Sequence, residues 1–345
     1  MRPSNAQTSN GGPVIRAPEL AQPSLPSAKA DLAVIIVSYN SARWLVPCIS
    51  SVYEHAGHAV VEVLVVDNGS TDGSAELVQR EFPRARVMLS ENRGFAHANN
   101  RGFEACSAPF VLFLNPDTVV RDGTFGQLVE IMRSRPRVGM LGCRQHDPEG
   151  LLFPVIRRFP SVSRQFFETL GAERFPIRAT WMGERELNLA AYERETTCDW
   201  VSGSFMLARR EALMECGLMD ERYFLYCEEP DLCMRLRNRN WEVRYVTDMT
   251  IIHYFGKNSV NERLVAQEAY ARRQYLLKHQ GPIRRSLSTA ALAVFHARRA
   301  MRSPGQDEQA IARRAAARAA LRALLGLDPP PFGASSRPSR GRAGK

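Results

Sequence analysis

The sequence lacks the long apolar run that a membrane-spanning helix requires. No stretch approaches about 18 consecutive apolar residues. The segment from Met1 to Lys29 has no apolar core of the kind found in secretory signals, so we expect no signal peptide. Cysteine is also sparse, since the seven cysteines are odd in number and form no C-x-x-C pair. This usage argues against a disulfide framework or a zinc site and favours a reducing compartment.

Two phosphate-binding fingerprints are also missing. The chain contains neither G-x-G-x-x-G nor G-x-x-x-x-G-K-[ST], which argues against a dinucleotide loop and a Walker loop. The net charge of +10 is unevenly placed, because residues 281–345 hold 13 basic and 3 acidic residues, which leaves 33 of each sign in the other 280. A uniformly basic nucleic-acid-binding protein is therefore excluded and no nucleic-acid partner is expected, with RNA binding by the arginine-rich tail as a minor alternative.

Short apolar runs alternate with helical patterns after a leader at residues 1–30 that is rich in Pro, Ser, Asn, Gly and Ala. The leader is expected to be disordered. The predicted strands are Ala33–Tyr39, Val61–Asp67, Val87–Leu89, Phe110–Asn115 and Val138–Gly142, with a further strand near 243–247. The alternation predicts an α/β fold in which a Rossmann-like, mostly parallel sheet is flanked by helices.

Polar side chains follow these strands at the edge where parallel sheets bind ligands. They are Ser38, Asn40, Asp67, Asn68, Arg93, Gly94, Asn115 and Asp117. An acid at such an edge suits Mg²⁺ or Mn²⁺, which prefers one or two carboxylates together with phosphate oxygens and water. Each segment taken alone is equally typical of a helix cap, an Asx-turn or a solvated helix start.

An acidic cluster lies within the segment Tyr223–Arg235, where Glu228, Glu229 and Asp231 fall within four positions. Such acids are costly to bury without a function or a partner. Pro230 suits the first position of a helix, which predicts Glu229 as the N-cap. The helix dipole would then favour the ionised carboxylate that a general base needs. The alternative is an ordinary acidic first helical turn.

The pattern as a whole resembles the family 2 glycosyltransferases, inverting enzymes of the GT-A fold, and is most similar to their rhamnosyltransferase-like branch. The resemblance covers roughly residues 32–260. The segments that carry it are VIIVSYNS (34–41), VVDNGSTDGS (65–74), NRGFAHANNRG (92–102), LFLNPDT (112–118), WVSGSFMLARREA (200–212) and MDERYFLYCEEPDLCMRL (219–236). Their order and spacing together are specific, although each segment alone is not.

The resemblance implies a role for each site residue. Glu228 and Glu229 occupy the family's Glu-Asp motif, so that Glu229 is the expected general base, with Asp231 as a rival because Glu replaces Asp. Asp117 takes the place of the metal-binding acid in a DxD motif whose first acid is absent, and His253 is a second candidate metal ligand or a structural histidine. The expected nucleotide-sugar-binding residues are Ser38, Asn40, Asp67, Asn68, Arg93, Gly94, Asn115, Trp200, Gly203 and Lys257.

The implied reaction transfers a sugar, rhamnose being favoured, from a dTDP- or UDP-linked donor to a glycan or polyprenyl-linked acceptor in bacterial cell-envelope polysaccharide assembly. Mg²⁺ or Mn²⁺ is the expected cofactor. One alternative is a non-catalytic relative that binds nucleotide sugars or glycans as an assembly partner. Another is a sugar-1-phosphate nucleotidyltransferase, which would need a Gly-rich loop where Ser38–Ser41 stands.

We expect a catalytic domain at 31–280, with a nucleotide-sugar half at 31–142 and an acceptor half at 143–280, and then a basic extension at 281–345. The extension contains two helix-prone segments, Ser286–Arg302 and Ile311–Leu327, and a tail expected to be disordered. Basic helices suit an anionic membrane, which predicts a cytoplasmic enzyme held peripherally on the inner face of the plasma membrane. The alternative is a packed or solvated alanine-rich extension.

Overall fold

A computed structural model describes residues 29–171, 182–254, 261–301 and 308–332. The described part contains nine strands and ten α-helices. The strands are β1 Leu32–Ser38, β2 Val61–Asp67, β3 Arg86–Leu89, β4 Phe110–Leu114, β5 Thr118–Asp122, β6 Val138–His146, β7 Thr196–Thr197, β8 Phe205–Arg209 and β9 Glu242–His253. The helices are α1 Ala42–Glu54, α2 Ser74–Glu81, α3 Phe95–Glu104, α4 Phe125–Ser134, α5 Val162–Leu170, α6 Arg210–Cys216, α7 Glu228–Asn238, α8 Glu262–His279, α9 Pro282–Met301 and α10 Glu308–Leu325.

All nine strands form one sheet in the order β3-β2-β1-β4-β8-β6-β9-β5, with β7 paired to β9. Strands β3, β2, β1 and β4 are parallel, as the sequence predicts. The predicted fifth strand begins β6 but does not continue this parallel array, because β8 lies between β4 and β6 and runs antiparallel to both. The α/β fold is therefore confirmed, and its sheet is mixed.

The two faces of β1 bury alternate side chains, as the period of two in a strand requires. Leu32, Val34 and Ile36 pack on one side with residues of α1, α2 and α4. Ala33, Ile35 and Val37 pack on the other with residues of α3, α6 and α7. Both faces are covered by helices, which explains the uninterrupted apolar pattern of the central strands.

The carboxyl ends of the parallel strands meet at one edge of the sheet. Ser38 at the end of β1 is the register partner of Asp67 at the end of β2. On the other half of the sheet, β5 pairs antiparallel with β9 and places Thr118 opposite His253. The turn that precedes Thr118 is therefore held beside the end of β9, so residues far apart in the chain share this edge.

The C-terminal helices differ in how they pack. Helix α10 packs against α8 and α9, and its buried residues are Ala310, Ala316, Ala317, Ala320, Ala323 and Leu324. Helix α9 buries little more than Ser288 completely and leaves several large apolar side chains exposed. The predicted helices of the extension are therefore present, and the packed alanine-rich alternative applies to α10. Within the described residues, no helix is both long enough and apolar enough to span a bilayer.

Candidate active site

A cleft of about 510 Å³ opens at the carboxyl edge of the parallel strands. Nine of the residues predicted from the sequence line this cleft, namely Asn40, Asn68, Gly94, Asn115, Asp117, Gly203, Glu228, Glu229 and His253. They come from strand ends, loops and the start of α7, which are separated by up to about two hundred residues in the chain. The fold therefore brings the nucleotide-side, metal-side and acidic candidates together.

Asp117 and His253 form a pair on one wall of the cleft. Nε2 of His253 lies 3.2 Å from Oδ1 of Asp117, and the imidazole is almost fully buried. Backbone hydrogen bonds fix this wall. The amide of Tyr254, which follows His253, donates to the carbonyl of Asp117, and the amide of Asn115 donates to the carbonyl of Ser204. An oxygen and a nitrogen ligand are thus placed side by side, facing the cleft.

Asp117 and His253 are the candidate ligands for a divalent cation in this cleft. The described residues contain no group of three or more His, Cys, Asp or Glu side chains that could hold a metal ion without help. Mg²⁺ and related hard cations are commonly bound by only one or two carboxylates, with substrate phosphates and water completing the shell. Asp117 and His253 fit a cation that is shared with a diphosphate.

Glu229 stands at another wall, where its Oε1 accepts a 3.2 Å hydrogen bond from the backbone N–H of Gly203. Burial raises the pKa of Glu229 above its usual range, although the Gly203 amide and the charges of Arg157 and Arg272 oppose this shift. The sequence-based expectation that the helix dipole favours the ionised form is therefore corrected, because the effect of burial is larger. A raised pKa strengthens this carboxylate as a proton acceptor near neutral pH.

Glu228 is more deeply buried than its neighbour, and its Oε2 has no hydrogen-bond partner within the described residues. Burial and the adjacent charge of Glu229 raise its pKa well above the usual carboxyl range. Two neighbouring carboxylates in a dry site ionise one at a time. The arrangement therefore favours protonation of Glu228 over protonation of Glu229.

Helix α7 begins two residues earlier than the sequence predicts. Its N-cap is Cys227, so Glu229 is the second residue of the helix and the prediction of Glu229 as the N-cap is wrong. Pro230 is the third residue, where a missing N–H is still tolerated. Tyr226 and Cys227 both have positive φ, +70° and +69°, which is a costly conformation for side chains other than glycine. This strained turn directs both glutamates into the cleft.

Asp231 does not lie in the cleft, and its prediction as a rival base is corrected. Its fully buried carboxylate is held by Arg235, Lys278 and His279, with distances of 2.9, 2.6 and 2.7 Å. Burial alone would raise its pKa, but the hydrogen bond from His279 and the positive charges around it hold the pKa well below the usual range. Asp231 is therefore an ion-pair anchor between α7 and α8.

Ser38 and Asp67 lie beneath the cleft and not on its surface. Both are buried, and they are register partners on adjacent strands. Asp67 accepts from the amide of Ser70 through Oδ1, whereas its Oδ2 and the hydroxyl of Ser38 find no partner within the described part of the chain. Unsatisfied buried oxygens at a ligand-binding edge suggest groups that a ligand completes.

Two further predicted residues, Arg93 and Trp200, are not among the residues that line the cleft. Arg93 is exposed between the lining residues Asn92 and Gly94. The indole of Trp200 donates to the carbonyl of Arg158 and lies outside the lining. Lys257 falls outside the described residues, so its prediction is untested.

The cleft also contains residues that the sequence analysis missed. They are Tyr39, Arg43, Trp44, Phe224 and Tyr226 among others. The guanidinium of Arg43 stacks over the Trp44 ring at 4.6 Å, and that ring lies 4.8 Å from Tyr254. The sequence signal for these two residues was a basic residue followed by an aromatic residue in the first turn of α1, close to the end of β1.

Gly94 lines the cleft and packs closely against the backbone of Phe224. It adopts a φ of +104°, and a Cβ atom there would lie 2.4 Å from the carbonyl oxygen of Phe224. The same carbonyl accepts a 2.7 Å hydrogen bond from the amide of Phe95. The loop after β3 is thereby fixed to the segment that leads into α7.

A mixed sheet with a carboxylate-bearing cleft at this edge is the GT-A architecture of nucleotide-sugar-dependent glycosyltransferases. The sequence model described as "Glycosyl transferase family 2" matches residues 33–217. The chain belongs to this family and is a nucleotide-sugar-dependent glycosyltransferase.

Named relatives agree with this assignment. The N-acetylglucosaminyl-diphospho-decaprenol L-rhamnosyltransferase of Mycobacterium tuberculosis is 29% identical over 265 residues, which cover 72% of this chain and 85% of the relative. Rhamnosyltransferase WbbL of Escherichia coli is 27% identical over 64% of this chain and 82% of its own length. The mannosyltransferase PcManGT of Pyrobaculum calidifontis, solved with GDP-Man and Mn²⁺, shares the fold with a TM-score of 0.53 at 18% identity, covering 87% of this chain and 88% of that one.

Proposed function

We propose that the protein transfers rhamnose from a dTDP- or UDP-linked donor to a polyprenyl-linked glycan acceptor, with inversion at the anomeric carbon. The observation that carries this proposal is the placement of the Asp117–His253 pair and of Glu229 on the lining of a single cleft. The rhamnosyltransferase relatives, one of them named for a decaprenol-linked acceptor, support the choice of sugar and acceptor. Such a reaction belongs to cell-envelope polysaccharide assembly.

On the donor side, Asp117 and His253 would hold Mg²⁺ or Mn²⁺ against the diphosphate. When bound, such a cation would neutralise the negative charge that develops on the leaving nucleoside diphosphate. The solved mannosyltransferase that shares this fold contains Mn²⁺, which supports the same use here. The unsatisfied oxygens of Ser38 and Asp67 would complete their hydrogen bonds with the nucleoside, and Asn68 presents its side chain beside them.

On the acceptor side, Glu229 takes the proton from the attacking hydroxyl. Its raised pKa matches this role, and the Gly203 amide fixes the direction of the carboxylate. The raised pKa of Glu228 favours its neutral form, which would add no second negative charge against the incoming oxygen. A hydroxyl activated on the face opposite the diphosphate attacks in line, and the configuration at the anomeric carbon inverts in a single displacement.

The decisive experiment incubates the full-length protein with dTDP-rhamnose or UDP-rhamnose, Mn²⁺ and a prenyl-diphosphate-linked N-acetylglucosamine. We expect a disaccharide product whose anomeric configuration, read by NMR coupling, is opposite to that of the donor. Glu229→Gln should reduce kcat by about 10²–10⁴-fold while donor binding persists. A product of retained configuration, or turnover unchanged by this substitution, would refute the mechanism.

We further propose that the enzyme is cytoplasmic and binds the inner membrane face peripherally, through α5 and α9. Leu287 and Val294 on α9 are 54% and 50% exposed, and Phe166 on α5 is 53% exposed. These side chains line a groove of about 1330 Å³ between the two helices. Apolar side chains exposed on neighbouring helices are typical of an interfacial surface.

The charge of this surface favours an anionic bilayer. Helix α9 contains four arginines and no acidic residue. Arg284 and Arg298 line the groove from α9, whereas Arg164 and Arg237, which also line it, are both paired with Asp199. Basic side chains around an apolar face add attraction to anionic lipid headgroups of about 1 kcal/mol each. The proposal thus locates the membrane contact on α9, with α10 packed away against α8.

A further inference from the structure

Arg157 occupies an unusual position near two aromatic rings. Its guanidinium carbon lies 5.6 Å from the ring centroid of Phe153 and 5.4 Å from that of Trp200. Its Nε is buried and makes no hydrogen bond within the described residues. Its neighbour Arg158, by contrast, is paired with Glu186 at 2.5 Å. Arg157 is thus a cation near two aromatic rings, and the described residues supply it with no ion-pair partner.

The position of Arg157 connects it to the cleft. The Phe153 ring meets the ring of His253 edge-on at 6.4 Å. Trp200 directly precedes the loop that contains Gly203. The charges of Arg157 and Glu229 also affect each other's pKa. Arg157 therefore lies close to both the metal-side and the base-side walls.

Burial dominates the electrostatics of Arg157. Burial, followed by the nearby Arg185, lowers the pKa of Arg157 to about 10, although the charges of Glu184 and Glu229 oppose this shift. A buried guanidinium without a partner is costly, and removing that cost requires an anion. The Nε–H of Arg157 has no partner among the described residues, and the N–H fork of a guanidinium matches a phosphate group.

We propose that Arg157 binds a phosphate group of a substrate beside the catalytic cleft. Under the proposed function, two substrates carry such a group, the nucleotide-sugar donor and the diphosphate-linked acceptor. Phosphate binding itself follows from the geometry around Arg157 and uses the proposed function only to name these two sources. The alternative role for Arg157 is purely structural, as a stem packed near Phe153 and Trp200.

The first test measures binding of inorganic pyrophosphate to the full-length protein by calorimetry, with EDTA present so that no cation at Asp117 contributes. Arg157→Met keeps an unbranched stem near the rings and removes the charge, so we expect Kd to rise about ten- to hundredfold. Arg157→Lys should recover part of the affinity. Arg239→Met, which removes an exposed arginine at the C-terminal end of α7, is the matched control and should leave Kd unchanged. Equal pyrophosphate affinity in the wild type and Arg157→Met would overturn the proposal.

The second test separates the two phosphate sources by steady-state kinetics. A raised KM for the acceptor alone assigns Arg157 to the acceptor phosphate, and a raised KM for the nucleotide sugar alone assigns it to the donor; either outcome supports the proposal. A lowered Tm with both KM values unchanged indicates the packing role and refutes it. If no rhamnose donor is used at all, the proposed function fails, and the pyrophosphate measurement still decides the role of Arg157.

Discussion

The backbone N–H of Gly203 donates a 3.2 Å hydrogen bond to Oε1 of Glu229, and this approach leaves no room for a side chain at position 203. A Cβ atom built there would lie 2.5 Å from the same carboxylate oxygen. Glycine at this position is therefore required by contact with the base, since its φ is not in the left-handed region.

Gly203→Ala should displace the Glu229 carboxylate and reduce kcat by roughly tenfold or more, because small displacements of a catalytic group cost orders of magnitude. The KM for the nucleotide sugar should change little. Gly281→Ala is the matched control, since a Cβ atom there meets nothing within 4 Å. Steady-state kinetics of the two variants check this, and equal kcat values would contradict the role assigned to Gly203.

The pH dependence of kcat should reflect the raised pKa of Glu229. The base must be deprotonated to accept a proton, so activity is lost as the pH falls through its pKa. Because burial raises this pKa above the ordinary 4.5, the acidic limb should lie at a higher pH than that of a free carboxyl group. A pH–rate profile of the wild type measures the limb, and a profile that stays flat down to pH 4.5 would exclude Glu229 as the titrating base.

Glu228→Gln should stabilise the protein more at pH 8 than at pH 5. The pKa of Glu228 is raised on folding, so the folded state retains a proton that the unfolded state releases above about pH 4.5. The resulting cost grows with pH by about 1.4 kcal/mol per unit until the folded-state pKa is reached. Glutamine removes this cost. Denaturant unfolding at the two pH values measures the gain, which should be small at pH 5; an equal gain at both would contradict the assignment.

Asp231→Asn should destabilise the fold without removing the chemistry. The substitution leaves Arg235, Lys278 and His279 around a neutral side chain, and breaking a buried ion pair typically costs about 3–5 kcal/mol. Asp122→Asn, which breaks only an exposed pair with Arg121, should leave Tm unchanged. Thermal unfolding and the kcat of the folded protein check both. Normal stability together with lost turnover would instead restore Asp231 as a catalytic candidate.

Leu287→Glu combined with Val294→Glu should weaken vesicle binding. Both changes place charge on the exposed face of α9, which should oppose insertion at the interface and repel anionic lipid. Co-sedimentation with phosphatidylglycerol vesicles measures the effect, with phosphatidylcholine vesicles for comparison. The control is Ile311→Glu with Leu325→Glu, two exposed apolar positions on α10. Equal losses in both double variants would place the membrane contact elsewhere.

The sequence predicts the parallel part of the sheet well because continuous apolar runs and strand-end polar residues are local signals. Strands β1, β2 and β4 agree with prediction to within one residue at each end. The insertion of β8 between β4 and β6 is not visible in the sequence, since pairing order depends on contacts between distant segments. The same limit hides the Asp117–His253 pair, which exists because β5 pairs with β9.

The candidate site was predicted by motif position but not by side-chain direction. Glu229 and Asp231 differ by two places in one acidic segment, yet one faces the cleft and the other faces α8. This difference follows from the helical rotation of α7 and from its N-cap at Cys227, which no composition rule fixes. Arg157 was missed because its significance lies in the absence of a partner, and partners are known only once the chain is folded.

The ion pairs of Asp231 with Arg235, Lys278 and His279 extend the structural unit around the cleft as far as α8. The family sequence model stops at residue 217, before the glutamates of α7 and well before Lys278 and His279. A shortened polypeptide that ended at that family boundary would omit the proposed base, and one that ended just after α7 would leave Asp231 with Arg235 but without Lys278 and His279. Only chains that continue through α8 keep all three cationic partners of Asp231, two residues from the proposed proton acceptor Glu229.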